Sequence, residues 1–126
     1  MKRTATLIAI LCFAFGCRQA QRPQLSLSTY NYDFGVVDSA MQYSGSVTLL
    51  NCGNANLQIE KVITGCGCTS AQCSVNTLAP GETGVLRFTY DTKDKTGEQN
   101  QFITIIANTD SLVHIFRLSA IVENQI

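Results

Sequence analysis

Apolar and polar residues alternate with a period of two along most of the chain after Leu25, and the spacing of an amphipathic helix is missing. The clearest alternation places Leu86, Phe88 and Tyr90 on one side and Val85, Arg87, Thr89 and Asp91 on the other. Side chains that alternate in this way belong to strands with one buried face. The pattern therefore predicts an all-β domain.

Several other segments alternate in the same way and are separated by turns that contain Gly, Asn or Pro. We expect strands at 25–28 (continuing weakly through 30–35), 45–50, 57–64, 74–78 (weak), 85–91, 102–107 and 114–122, the last with Phe116, Leu118, Ala120 and Val122 on its inner row. Short strands at this spacing are typical of an immunoglobulin-like β-sandwich of about seven antiparallel strands.

The first residues are typical of a signal peptide for export. A basic start is followed by an apolar run from Ala5 to Phe15, which is too short for a permanent span of about 20 residues. The run ends at Gly16-Cys17, and this junction resembles the lipobox of bacterial lipoproteins. We expect a signal peptide at 1–16, lipidation of Cys17, a tether at 17–24 and the sandwich at 25–126. The alternative is cleavage nearby, with Cys17 as an ordinary thiol.

Composition excludes several classes of function. The 126 residues suffice for one domain, and 45% hydrophobic against 14% charged residues indicates a chain that buries a core. The net charge is zero without a Lys/Arg cluster, which argues against nucleic-acid binding. His114 is the only histidine, so a Ser-His-Asp triad or a multi-histidine zinc site is hard to build. We therefore expect that the protein is not an enzyme.

The four cysteines that follow Cys17 are the candidate functional residues, because an exported protein can form disulfides. Cys52 and Cys66 lie at opposite ends of the third predicted strand, roughly 30 Å apart. A disulfide needs Cα atoms within about 7 Å, so we expect Cys52 to be unpaired and half-buried. His114 opens the last strand, and we expect it near Cys52 as a rim histidine rather than a ligand.

Cys66, Cys68 and Cys73 are expected at one end of the sandwich, and three hypotheses remain open for them. A disulfide from Cys73 to Cys66 or Cys68 would close a loop. A direct Cys66–Cys68 bridge would close a small, strained and easily reduced ring. Three thiolates would suit a soft ion such as Cu(I), or zinc with a fourth ligand, whereas under the first two hypotheses we expect no cofactor.

A further set of short motifs resembles one bacterial family, domain of unknown function 1573, over about residues 28–122. The motifs are Asp33-Phe34-Gly35, Asn51-x-Gly53, Leu57-x-Ile59, Val62, Cys66-Gly67-Cys68-Thr69, Ala79-Pro80-Gly81-Glu82 and Phe88-x-Tyr90-Asp91. The resemblance implies an Ig-like sandwich, common in exported lipoproteins of Bacteroidetes-type bacteria and similar in architecture to ASPM/Hydin-like interaction modules. It implies no established activity.

Together these observations lead to two functional hypotheses. The first is a lipid-anchored Ig-like module with a non-catalytic binding or structural role in the cell envelope. It would face the periplasm, with the outer membrane as the expected location and an envelope protein as partner. The second is an exported thiol protein that binds Cu(I) or zinc, or exchanges disulfides, through Cys66, Cys68 and Cys73.

Overall fold

The computed structural model describes residues 20–124, which form nine strands and no helix. Accordingly, no helix in this range is long and apolar enough to cross a membrane. The strands are β1 (Leu25–Leu27), β2 (Asn31–Asp38), β3 (Gln42–Asn51), β4 (Leu57–Thr64), β5 (Thr69–Cys73), β6 (Thr77–Leu78), β7 (Thr83–Asp91), β8 (Gly97–Ala107) and β9 (Val113–Glu123).

The strands form two sheets, one with the order β1-β3-β7-β5 and one with the order β2-β9-β8-β4-β6. Their inner faces supply one shared core, so the predicted all-β sandwich is confirmed. One pairing differs from the prediction of antiparallel strands, because β2 runs parallel to β9. The chain crosses from one sheet to the other between Leu27 and Asn31, and this crossing brings β2 alongside the last strand in the same direction.

The core is formed by the rows that alternation marks in the sequence. Phe88 of β7 and Phe116 of β9 face each other across the two sheets with ring centroids 5.3 Å apart, and both are buried. The inner row of β9 is buried as predicted, and it consists of Phe116, Leu118, Ala120 and Val122. Burial of these apolar side chains is the main contribution to the stability of the sandwich.

Three strand predictions need correction. The expected first strand is divided, because β1 and β2 belong to different sheets. The last-but-one strand begins at Gly97 rather than 102, since its early inward positions are polar, as at Gln99 and Gln101. Thr69–Cys73 forms β5 where no strand is predicted, while the weak segment 74–78 contains only the two residues of β6.

One end of the sandwich is organised by the buried side chain of Asn51. Its Nδ2 donates to the carbonyls of Ala55 (2.7 Å) and Leu78 (2.9 Å), and its Oδ1 accepts from the N–H groups of Gly53 (3.0 Å) and Gln24 (3.3 Å). Asn51 thereby holds the segment that precedes β1 against the domain. The signal peptide and Cys17 lie outside the described residues.

Candidate functional site

Cys66 and Cys68 lie in the turn between β4 and β5 and are joined by a disulfide, with Cα atoms 5.2 Å apart. Both are half-buried, and Gly67 between them is exposed. The backbone N–H of Cys68 donates to the Cys66 sulfur at 3.1 Å. The turn continues directly into β5, since the N–H of Thr69 donates to the carbonyl of Cys66. The disulfide therefore fixes the point at which the chain changes sheets.

Cys73 lies away from this disulfide, at the far end of β5. It follows Cys68 by five residues along an extended strand, which corresponds to about 16 Å. This exceeds the roughly 7 Å that a disulfide tolerates. The expected bridge from Cys73 to Cys66 or Cys68 is therefore wrong, because the residues expected to form a loop form a strand. Cys73 is free, and burial raises the pKa of its thiol, which disfavours the nucleophilic thiolate.

The same separation removes the geometric basis for a soft-metal site at Cys66, Cys68 and Cys73. Among residues 20–124, no three His, Cys, Asp or Glu side chains lie where they could hold a metal ion together. The two nearest sulfurs are already bonded to each other. These residues therefore do not fit a Cu(I) or zinc centre.

Cys52 and His114 lie together at the other end of the sandwich and border the same surface depression. Cys52 is free and exposed rather than half-buried, because it follows β3 into an outer loop. The Nε2 atom of His114 lies 2.7 Å from the Thr109 hydroxyl in a hydrogen bond. Partial burial lowers the pKa of His114. Neither residue faces the Cys66–Cys68 disulfide.

The outer edge of β5 offers unpaired backbone groups. The carbonyl of Cys68 accepts from the N–H of Asp91 and the N–H of Ser74 donates to the carbonyl of Val85, both at 2.8 Å. Backbone direction alternates along an antiparallel strand, so the even-numbered residues between them face β7. The backbone groups of Ala71 and Cys73, and the carbonyl of Thr69, point away from the sheet.

Four strands end a sheet in residues 20–124, and β5 is the longest of them that contains neither a charge nor an irregularity. The two shortest edge strands are β1 and β6, with three and two residues. The eight-residue β2 contains Asp33 and Asp38 and is interrupted by a bulge at Gly35, which has a φ of 76°. Natural proteins usually protect open edges with charges or bulges of this kind. The uncharged sequence of β5 lacks that protection.

The loop between β8 and β9 is a second unusual surface. Leu112 is 57% exposed and has a φ of 57°, a left-handed conformation that Gly and Asn adopt more readily than Leu. Val113, which follows it, is 47% exposed. This loop is next to the segment that leads to the N-terminus, because Arg22 forms an ion pair with Asp110 at 2.9 Å.

Sequence reasoning missed the β5 edge and Leu112, and it noted Asn51 only as part of the Asn51-x-Gly53 motif, without the role of its side chain. Thr69, Ala71 and Cys73 do alternate with polar residues, but they are small and only weakly apolar. The role of the Asn51 side chain cannot be seen in the local sequence, because two of its hydrogen-bond partners, Gln24 and Leu78, each lie 27 residues away along the chain. Leu112 is a single apolar residue after a polar turn.

Comparisons with known proteins identify a family and a fold. The model of the family described as "Protein of unknown function (DUF1573)" matches residues 25–122. No curated protein matches the chain. Three of the similar solved structures carry the fold comparison. A protein of unknown function from Porphyromonas gingivalis W83 matches with a TM-score of 0.72 and 18% identity, over 85% of this chain and 50% of that chain.

The other two structures are a human and a bacterial protein. PapD-like domain 7 of human CEP192, an ASH/PapD-like domain, matches with a TM-score of 0.64 and 11% identity, over 86% of this chain and 91% of that chain. The VesB protease of Vibrio cholerae matches with a TM-score of 0.65 and 17% identity, over 77% of this chain and 31% of that chain. At these identities the likeness shows the fold alone, and the chain spans half of the Porphyromonas protein and less of the protease.

Proposed function

This chain belongs to the DUF1573 family, and we propose that it is a lipid-anchored binding module of the bacterial cell envelope that catalyses no reaction. Cys17 carries the lipid, and the sandwich faces the periplasm from the outer membrane. The module binds an extended segment of another envelope protein at the edge of β5. The observation that carries this proposal is the uncharged, unprotected edge formed by Thr69–Cys73.

Strand addition fits the chemistry of this edge. An extended peptide alongside β5 would pair with the free N–H and C=O groups of Ala71 and Cys73, which supply affinity without requiring a particular sequence. The disulfide at Cys66–Cys68 fixes the start of the strand, so less conformational entropy is lost when a partner binds. The raised pKa of the Cys73 thiol favours its neutral form, which leaves the edge uncharged.

The anchor is tested by fractionation of cells that express the full chain or its Cys17→Ser variant. The full chain should sediment with membranes and be released only by detergent, whereas the variant should be found in the soluble fraction. Equal membrane retention of both proteins would contradict lipidation at Cys17. A Cys52→Ser variant controls for the loss of an exposed thiol elsewhere.

The binding edge is tested with a photo-activated crosslinking residue at Gln72 of β5, and with the same residue at Arg117 as a matched control. Arg117 is exposed in β9 of the opposite sheet and is paired with Asn31 of β2 on one side and Phe102 of β8 on the other, so it lies at no edge. Crosslinks to a defined envelope protein should form from Gln72 and not from Arg117. Equal yields from both positions would contradict binding through β5.

Disulfide exchange by Cys66 and Cys68 is a second candidate function, favoured by their direct bond. A partner thiolate would attack one sulfur, form a mixed disulfide and release the other cysteine as a thiolate. A second partner thiol would then resolve the mixed disulfide, so the partner dithiol is oxidised as the Cys66–Cys68 bond is reduced. The N–H of Cys68, 3.1 Å from the Cys66 sulfur, would stabilise a thiolate at Cys66.

A redox titration in dithiothreitol or glutathione buffers separates the two candidates. A variant with both Cys52→Ser and Cys73→Ser is used so that the free thiols at these two positions do not interfere. A midpoint between about −120 and −270 mV, the range of dithiol oxidoreductases, would support exchange. A midpoint below about −300 mV would identify a structural disulfide and remove the second candidate.

A further inference from the structure

The β8–β9 hairpin places two exposed apolar side chains at the end of the sandwich from which the chain leads to its N-terminus. Leu112 is 57% exposed and Val113 is 47% exposed. Single exposed apolar residues are ordinary on protein surfaces. These two are consecutive residues where the hairpin turn ends and β9 begins, and Leu112 holds a backbone conformation that favours Gly or Asn. Neither folding nor solubility explains a leucine at this position.

The position of the preceding segment indicates what this tip faces. The N–H of Asn54 donates to the carbonyl of Arg22 at 3.0 Å, and the Arg22 guanidinium pairs with Asp110 of the hairpin loop. The chain therefore leaves the domain beside this loop. Cys17 precedes Arg22 by five residues, and five extended residues span about 18 Å at most. A lipid attached to Cys17 would therefore hold Arg22 within that distance of the membrane surface, with the hairpin loop that Arg22 contacts beside it.

We propose that the β8–β9 hairpin inserts Leu112 and Val113 into the lipid surface to which Cys17 anchors the protein. This inference rests on the proposed lipidation of Cys17. An exposed apolar contact beside the anchor would add buried apolar area at the lipid surface and would restrain the orientation of the domain. The one charged residue of the loop, Asp110, is paired with Arg22, so the tip brings no unpaired carboxylate to the lipid. Insertion would also orient the domain, with the Cys66–Cys68 end directed away from the membrane.

The absence of tryptophan from the sequence allows a direct test. The full chain carrying Leu112→Trp is purified from membranes and reconstituted into vesicles of phosphatidylethanolamine and phosphatidylglycerol. Met41→Trp is the matched control, because Met41 is 52% exposed and follows the β2–β3 turn at the opposite end. Val113→Trp serves as a second reporter if Leu112→Trp fails to fold.

The expected result is a shift of the indole emission of the Leu112→Trp protein to shorter wavelength on vesicles. In vesicles that contain brominated lipids, quenching of the indole emission should be strongest when the bromine atoms lie about 5–10 Å below the headgroups. The Met41→Trp protein should show neither the shift nor the quenching. Vesicle flotation without quenching of the Leu112→Trp protein would overturn the insertion and leave the anchor intact. Quenching of both reporters would also overturn it, because the whole domain would then lie on the lipid. Failure to float would overturn the anchor at Cys17 and the inference that rests on it.

Discussion

Replacement of Asn51 by alanine is expected to destabilise the domain by about 3 kcal/mol. Asn51 is fully buried, and its side chain makes four hydrogen bonds that join the end of β3 to the following loop, to Leu78 and to Gln24. Each bond contributes about 0.5–1.5 kcal/mol net, and a buried partner left without one costs about 1–3 kcal/mol. Water can replace the bonds near the rim but not the one to the buried Leu78 carbonyl.

Asn108→Ala is the matched control. Asn108 also uses both ends of its amide, accepting from the N–H of Gln58 at 2.7 Å and donating to the carbonyl of Asn56 at 3.2 Å. It is exposed, so water replaces these bonds and the expected cost is below about 1 kcal/mol.

Urea unfolding of both variants and the parent measures the difference. The midpoint of Asn51→Ala should fall by roughly 1.5–3 M with an unchanged slope, whereas that of Asn108→Ala should fall by less than about 1 M. Hydrogen exchange at the Gln24 amide should accelerate in Asn51→Ala, because Gln24 donates to the lost Oδ1. Equal losses in the two variants would refute the reasoning that burial of the Asn51 amide sets its contribution.

Three further predictions concern other parts of the domain. Leu112→Asn should raise the free energy of unfolding by about 1 kcal/mol, because Asn adopts a positive φ at lower cost. Ala40 also has a φ of 57°, so Ala40→Gly should raise the free energy of unfolding as well. Melting temperatures that fall in both variants would contradict this. Joint replacement of Cys66 and Cys68 by serine should cost about 1.6 kcal/mol in chemical denaturation, since the disulfide closes a loop of only three residues, and a loss beyond about 3 kcal/mol would disprove this account of the bridge. Stability should decrease as the pH falls below about 6.5, because the lowered pKa of His114 makes the unfolded chain bind the proton first. In the His114→Gln variant the melting temperature should depend less on pH in this window. A pH dependence equal to that of the parent would contradict the assignment.

Alternation predicted the sandwich because its core rows consist of large apolar residues. Phe88 and Phe116 stand out in sequence, and both are buried at the centre of the fold. The candidate edge was not predicted, because its inward row consists of Thr69, Ala71 and Cys73, which are too small to give a strong signal. Because β5 was not predicted, Cys73 was expected close to Cys66 and Cys68, whereas the extended strand separates it from them.

Features that depend on distant partners could not be derived from local pattern. Asn51 resembles an ordinary turn residue until Leu78 and Gln24 are placed around it. The open edge of β5 likewise follows from sheet order, because β5 lies last in its sheet only when β1, β3 and β7 occupy the other positions. Sequence spacing does not determine which strand ends a sheet.

The proposed binding role of β5 is tested most directly by comparing membrane-extracted complexes of the parent, Ala71→Pro and Ala71→Ser. The N–H of Ala71 points away from β7, so proline there removes a group at the open edge without removing a bond within the sheet. Thermal melts verify that both variants fold. Complexes of higher mass should form with the parent and Ala71→Ser and be lost with Ala71→Pro. Complexes that persist with folded Ala71→Pro would contradict binding by strand addition at β5.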